Sequence, residues 1–426
     1  MKKTLVALAA LAATASFAQS SVQIIGVLDI GYAAAAAPNS VTAAASDNTA
    51  SNANGPNVGA GTATNGSLGR VAQNGVSTSA IKFVGTEDIG GGLKAGFLLE
   101  INPNLVQSST SNQGNAFATD YTGTPFNGEQ FISLAGGFGE VKLGVPNAGF
   151  FLAENESNPF VTGLGSAYGA GGVSRLGTQA LGIVSGVNSA TARIIRHERS
   201  VQYTTPSFNG LTAMVTYAAQ NDNAAINNQD GYQDISVMYK NGPLSVAYSN
   251  AVNKFGAGQL NLLGNAYLGK ATSNSTLAGI NGDYTYNVLA ANYTFGTTTV
   301  YGGYTTTKSN NIPTAITQLQ EDATSWNLAF KHVMGSIDLL GNYTVRTSNL
   351  ANAGSLATAP GVSTPINNNN AKVIGLGANY NLSKRTSVYY RYELADANTD
   401  SKTNLTAATI AGSVTTTNMV GIRHAF

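Results

Sequence analysis

The side chains that could carry chemistry in this sequence are a few charged residues inside segments that alternate between apolar and polar positions. Lys82 alternates with Ile81 and Phe83, and the same rule places these further residues on the polar side of their segments: Lys142, Asp234, Lys240, Lys331, Asp338, Arg346, Arg391, Glu393 and Arg423. Period-two alternation indicates β-strands, and a lipid-facing Lys or Arg costs about 2–4 kcal/mol at the bilayer midplane. The sorting favours strands around a water-filled space; a half-buried soluble sheet is the alternative.

Catalytic and metal-binding constellations have little support. The three histidines, His197, His332 and His424, are scattered, and none has a second His or a Cys at metal-ligand spacing. A hydrolytic pair of His332 with Ser325 or Asp338 stays open as a minor alternative. We therefore expect no enzyme, no metal site and no cofactor.

Composition excludes a nucleic-acid-binding protein and a protein stabilised by disulfides. The chain has 426 residues, of which 10% are charged, against about 25% in an ordinary globular protein. Its 22 Lys and Arg against 21 Asp and Glu leave no cationic excess for a nucleic-acid partner. With no cysteine, the chain also forms no disulfide.

The N-terminus is typical of an export signal. Lys2 and Lys3 precede an apolar run from Thr4 to Ala15, and Ser16-Phe17-Ala18 resembles a cleavage site. We expect residues 1–18 to be removed and residues 19–426 to form the mature protein. No later segment contains the roughly 20 apolar residues that a membrane-spanning helix needs, which excludes an inner-membrane protein and leaves the periplasm, the outer membrane or the exterior; the strand pattern below favours the outer membrane.

The remainder reads as β-structure throughout. The predicted strands are approximately 21–32, 77–86, 92–101, 129–136, 138–146, 199–206, 209–219, 232–240, 242–251, 284–295, 297–307, 322–332, 335–347, 371–381, 385–395 and 414–426. Short Gly-rich turns alternate with eight long, Asn- and Ser-rich connections, of which 33–76 includes the run Ala33–Ala37. This rhythm predicts an all-β, 16-stranded antiparallel transmembrane β-barrel with short periplasmic turns and long external loops. Sixteen strands enclose an aqueous channel.

Five segments carry a resemblance to a known family. They are SSVQIIGVLDIGY (Ser20–Tyr32), FVGTEDIGGGLKAGFLLE (Phe83–Glu100), ISLAGGFGEVKLG (Ile132–Gly144), RSVQYTTPSFNGL (Arg199–Leu211) and VGIRHAF (Val420–Phe426). Together they resemble the trimeric general porins of β-proteobacteria, from one end of the chain to the other. The resemblance implies a homotrimer, passive diffusion of ions and small hydrophilic solutes, and a third loop, about 146–198, folded inward as a constriction.

The resemblance also suggests which residues set the pore's properties. The third loop has Glu154 and Glu156 near its start and several arginines later, and rings of charge set ion preference. The predicted pore residues are Asp29, Lys82, Glu100, Lys142, Glu154, Glu156, Arg175, Arg193, Arg196, Arg199 and Arg391. Alternatively, Arg196 and Arg199 lie at the barrel rim and bind lipopolysaccharide phosphate. The C-terminal Phe426 is the family's signal to the barrel assembly machinery.

Two departures from the family pattern affect selectivity. Ala80 stands where these porins usually have Arg, and Gly144-Val145-Pro146 replaces a Gly-Arg-Gln segment. Lys82 and Lys142 remain, so weak anion selectivity is a hypothesis.

A substrate-specific porin for a sugar or small organic acid is the main alternative function. The long loops could shape a binding site, and Tyr284, Tyr286 and Tyr389, on the lumenal side of their strands, are candidates for stacking on sugar rings. The alternative is that they sit in aromatic girdles or fill wall space. A surface adhesin is a more distant alternative, because an adhesin head should show a repeat of fixed period and this sequence has none.

Overall fold

The computed structural model describes residues 21–36, 68–103, 105–106, 126, 128–167, 195–220, 231–255, 282–311, 322–348, 370–397 and 414–426. These residues form one closed antiparallel sheet. The predicted signal peptide, residues 1–18, and the predicted pore residues Arg175 and Arg193 lie outside the described residues. None of the described helices is both long and apolar enough to cross a membrane.

The sheet consists of seventeen strand segments, and one helix, α1 (Gly149–Asn155), lies between β6 and β7. The strands are β1 Ser21–Ala36, β2 Leu68–Gln73, β3 Ala80–Gly90, β4 Leu93–Ile101, β5 Gln130–Gly136, β6 Gly139–Val145, β7 Ser200–Thr204, β8 Leu211–Ala218, β9 Gly231–Asn241, β10 Leu244–Phe255, β11 Gly282–Phe295, β12 Thr298–Asn310, β13 Asp322–Met334, β14 Ile337–Ser348, β15 Ala371–Asn381, β16 Thr386–Ala397 and β17 Val414–Ala425.

Segments β2 and β3 are two halves of one wall strand. Both pair with β1, the first along its external half and the second along its periplasmic half. The barrel therefore has the sixteen wall strands that the sequence predicts, and the pairing of β1 with β17 closes it. A closed sheet leaves no unpaired edge in the bilayer.

The second wall strand differs from its prediction. We expected one strand over 77–86 and a loop over 33–76, but β1 continues through the alanines to Ala36, and Leu68–Gln73 pairs with it. The alanine run, which we expected to begin an external loop, is held extended because it is hydrogen-bonded to β17 on its other side. Pairing on both sides outweighs the helix propensity of alanine.

Exposure alternates along the strands as predicted. In β13 the side chains of Trp326, Leu328 and Phe330 face outward and are exposed, whereas Asn327 and Ala329 are buried on the inner side. The outer face is apolar and the inner face is polar, which is the arrangement of a transmembrane barrel.

Tight turns join the strands at the periplasmic end. Gly242, Gly296 and Gly335 each begin a two-residue connection with a positive φ of 55°, 60° and 59° respectively. Glycine adopts this left-handed conformation without steric cost, which explains why the short connections contain it.

Candidate pore and constriction

The third loop begins after β6 and turns immediately into the barrel. Its helix α1 packs against β9, β10 and β11. The backbone N–H of Gly149 donates to the Asp234 carboxylate of β9 over 3.0 Å, and the Phe150 ring meets Tyr286 of β11 edge-on, with centroids 5.9 Å apart. These contacts confirm that the loop folds inward.

Glu156, directly after α1, fastens the loop to three strands. Its carboxylate accepts hydrogen bonds from Lys240 Nζ at 2.6 Å, Ser245 Oγ at 2.8 Å and Asn292 Nδ2 at 3.0 Å. Burial by itself raises the pKa of this carboxyl, but the hydrogen bonds from Lys240, Ser245 and Asn292 and the Lys240 charge outweigh it and hold the pKa below 4.5. Glu156 is therefore an ionised anchor at neutral pH.

The segment Ser157–Ala167, called the tip here, continues across the opposite wall. Asn327 of β13 donates to the Ser157 carbonyl over 2.7 Å, and Asn342 of β14 donates to the Gly165 carbonyl over 2.9 Å. The Gly165 N–H donates to the Glu393 carboxylate of β16 over 2.9 Å. The described part of the loop thus lines much of the inner wall.

Ion pairs lie on the strands before the loop. Lys82 Nζ of β3 is 3.0 Å from Glu100 Oε2 of β4, and Lys142 Nζ of β6 is 3.6 Å from Glu140 Oε2. Arg196, on the returning part of the loop, donates to Asn147 Oδ1 over 3.2 Å and is close enough to Glu100 to interact electrostatically. Arg196 is thus held against Asn147 at the start of the loop, whereas Arg199 is exposed just before β7.

Four predicted pore residues are buried: Glu100 is 6% exposed beside Lys82, and the other three are covered more completely. Asp29 has no exposed surface, and Glu154 and Arg391 are each only 2% exposed. Asp29 lies beneath the strand break between β2 and β3, Glu154 lies within α1, and the Arg391 guanidinium lies 5.5 Å from the Phe160 ring centroid of the tip. The loop and the break cover these groups, so they hold the wall together and do not contact the aqueous lumen.

Several residues that hold the third loop were missing from the predicted site. Alternation in the sequence predicts Asp234, Lys240 and Glu393 only as inward-facing charges, and it predicts no role for Asn292, Asn327 and Asn342. Alternation was the signal for the charged ones. Neutral amides give no such signal, because Asn is common throughout this sequence.

The tyrosines considered for sugar stacking fill the wall. Tyr284 and Tyr286 are buried and stacked on each other with centroids 6.2 Å apart, and Tyr389 is buried with its hydroxyl on Asp29. They offer no free ring face to a solute.

The arrangement separates the groups considered for hydrolysis. Ser325 and Asp338 face inward, whereas His332 has the opposite parity on β13 and shares a 2.7 Å hydrogen bond with Thr298. Among the described residues there is also no group of His, Cys, Asp and Glu that could hold a metal.

Comparisons with known proteins agree with this geometry. A family model described as Gram-negative porin matches residues 4–400. Outer membrane porin protein 32 of Delftia acidovorans is 30% identical over 443 residues, covering 100% of both chains. An outer membrane porin protein of Bordetella pertussis is 27% identical and covers 91% of this chain and 93% of its own.

A solved structure gives the same result. The anion-selective porin from Comamonas acidovorans has a TM-score of 0.64 and 25% identity, covering 96% of this chain and 100% of its own. The barrel, its inward-folded third loop and these relatives together establish that the chain belongs to the Gram-negative porin family and forms a channel in the outer membrane.

Proposed function

We propose that this porin conducts small hydrophilic solutes with a preference for anions. The observation that carries the proposal is the orientation of its lysine–carboxylate pairs. Among the described residues, three of the four pairs have a lysine side chain more exposed than its partner: 31% against 7% for Lys82 and Glu100, 61% against 18% for Lys240 and Glu156, and 36% against 11% for Lys331 and Asp338. The pair of Lys142 and Glu140 has the reverse order, 19% against 34%.

An ion in the lumen therefore meets ammonium groups in front of the carboxylates. Since the surrounding wall has a low dielectric constant, the field of these groups is focused into the water. Charged rings of this kind set the ion preference of pores. The Comamonas relative, whose name describes it as anion-selective, supports the same sign.

Reversal potentials in a salt gradient across a planar bilayer test this proposal. We expect the parent channel to favour chloride over potassium and each of Lys240→Gln and Lys331→Gln to weaken that preference. An ion passing about 7 Å from an ammonium in water gains about 0.6 kcal/mol, roughly threefold in permeability ratio. Lys384→Gln, an equal charge change in the exposed turn between β15 and β16, is the control. A potassium-selective parent would overturn the proposal.

The assembled form of this porin is a homotrimer in our proposal, and the height of the wall supports it. Strands β5, β6 and β7 have 7, 7 and 5 residues, whereas β11, β12 and β13 have 14, 13 and 13. A lipid-facing strand needs about 9–11 residues to cross the hydrocarbon. The wall formed by β5, β6 and β7 is called the low wall here, and the wall formed by β11, β12 and β13 the tall wall. Because backbone groups cannot face lipid unpaired, the low wall needs protein against its outer face.

The outer face of the low wall is suited to a second copy of the chain. Ile132, Leu134, Leu143 and Val201 are exposed and apolar there. We expect Leu143→Asn to weaken the trimer by roughly 10–100-fold, since burying a leucine is worth about 1.5–3 kcal/mol. Leu328→Asn, on the tall wall, should leave the trimer intact. Light scattering of the detergent-solubilised protein measures the mass; equal masses for both variants would contradict this interface.

Two further partners and the export signal stay predictions of the sequence. Lipopolysaccharide has suitable groups in Lys254, Lys308 and Lys372, which face outward near the external ends of β10, β12 and β15. Recognition of Phe426 by the assembly machinery and cleavage after residue 18 are likewise predictions of the sequence.

A further inference from the structure

We propose that the break between β2 and β3 is a dock for the tip of the third loop, and that Asp29 is the positioning residue that keeps this dock in place. The break occupies residues 74–79. It stands opposite only Leu28 and Asp29, because Gln73 pairs with Ile30 and Ala80 pairs with Val27. The extra residues bulge into the barrel. The inference rests on the proposed channel function, since it concerns what sets the constriction.

Asp29 organises the bulge through both of its carboxylate oxygens. Oδ2 accepts the backbone N–H of Val76 at 2.6 Å and of Ser77 at 2.8 Å, and Oδ1 accepts the Tyr389 hydroxyl at 2.5 Å. The Asp29 backbone also accepts the N–H of Asn74 at 3.1 Å. A fully buried carboxylate with these donors fixes the bulge in one shape, because charge-assisted hydrogen bonds are short and strong.

Asn74 and Ser79 close the two ends of the bulge. Asn74 has a φ of 67°, a left-handed conformation, and its Oδ1 accepts the Ser79 N–H at 2.8 Å. The Ser79 hydroxyl in turn accepts the Asp29 N–H at 3.0 Å. These bonds satisfy backbone groups that a regular strand would have paired with β1.

The tip packs directly against this bulge. The Leu164 N–H donates to the Gly75 carbonyl over 2.9 Å, and a methyl group at Gly163 would lie 2.6 Å from the Val76 carbonyl oxygen. Leu164 is 4% exposed and packs in a cluster with Ala33, Ala72, Tyr389 and Met419, against which Val76 also packs. The bulge therefore supplies both the hydrogen bond and an apolar seat for the tip.

Docking of the tip determines which charges the lumen contains. With the tip seated, Phe160 lies over Arg391 and Gly165 lies on Glu393, and both charged groups are buried. Release of the tip would bring Leu164 into water, move a mobile segment into the solute path and uncover these two charges. Asp29 thus acts on the constriction without touching a solute.

A cysteine accessibility experiment on the full-length protein in outer-membrane vesicles tests the dock. The natural chain has no cysteine, so Leu164→Cys provides one buried probe for a water-soluble maleimide. We expect Asp29→Ala to accelerate its labelling at least about tenfold, equivalent to about 1.4 kcal/mol. Asp29→Asn, which keeps an oxygen for the Val76 and Ser77 N–H groups, should restore slow labelling, and Tyr389→Phe should have a smaller effect than Asp29→Ala.

The outcomes separate this inference from the proposed function. If Leu164→Cys is labelled at the same rate with and without Asp29→Ala, and both barrels stay folded on unheated gels, the dock is overturned. If Asp29→Ala fails to fold, Tyr389→Phe decides: it should label faster than the parent and than Asp29→Asn, and no acceleration with Tyr389→Phe would also overturn the dock. Labelling does not depend on conductance, so a chain without anion preference would refute the proposed function alone.

Discussion

Deletion of Phe426 is expected to lower the amount of folded protein in the outer membrane by roughly a hundredfold. Phe426 closes the barrel: its N–H donates to the Gly26 carbonyl over 2.9 Å, and its carbonyl accepts the Gly26 N–H at 3.0 Å. Its ring covers Gly26, where a methyl group would lie 2.6 Å from the ring Cζ. Losing two hydrogen bonds and part of an aromatic contact costs about 3 kcal/mol, which corresponds to that factor.

Two substitutions separate the ring from the backbone. Phe426→Tyr keeps the aromatic contact and should assemble normally, whereas Phe426→Ala keeps the backbone pair and should be intermediate. The measurement is the fraction of barrel that stays folded on unheated gels of outer-membrane fractions. The purified chains are also refolded in detergent. An assembly signal predicts a larger loss in cells than in detergent; equal losses would reduce Phe426 to a structural role.

Glu156→Ala is expected to release the third loop from the wall. The substitution removes the acceptor shared by Lys240, Ser245 and Asn292. Hydrogen bonds to a charged group contribute about 1.5–3 kcal/mol, so displaced loop states should be populated about 10–100 times more often. Single-channel recordings would show this as added open-channel noise and brief partial closures. Glu140→Ala is the matched control, because Glu140 pairs with Lys142 on its own strand.

The same anchor should respond to acid. Because the pKa of Glu156 in the docked loop is held below 4.5, docking stability from this group is complete above pH 4.5 and is lost as the pH falls through the lowered value. Channel noise in the parent should therefore rise only on the acid side of pH 4.5, and Glu156→Ala should lack that rise. Noise that increases between pH 7 and pH 5 would assign the transition to another group.

The anchor of the third loop shows why part of the site was predictable and part was not. Lys240 was identified as inward-facing because alternation within β9 requires it. Its partner Glu156 is 84 residues away, and Asn292 is 136 residues from the same carboxylate. No local pattern connects these positions, so the prediction of Glu156 as a pore residue gave its neighbourhood but not its role in fastening the loop.

Asp29 and Arg391 show a second feature that the sequence pattern does not predict, which is burial on the inner face. Alternation correctly placed Arg391 on the inner face of the wall, and Asp29, predicted as a pore residue, also lies on that face, yet both are buried. Parity reports the face of a strand, whereas contact with water depends on what lies over that face. The bulge covers Asp29 and the tip covers Arg391.

The sequence alone determined the sixteen wall strands, the alternation of tight turns with long loops, and the inner or outer face of each strand residue. These follow from neighbouring residues, because the strand period is two and lipid excludes charge. Only the tertiary structure decided which inward charges meet the lumen, how the third loop is fastened and why the second wall strand is broken. These features depend on contacts between segments far apart in the chain, and their energies arise only when the barrel has closed around the loop.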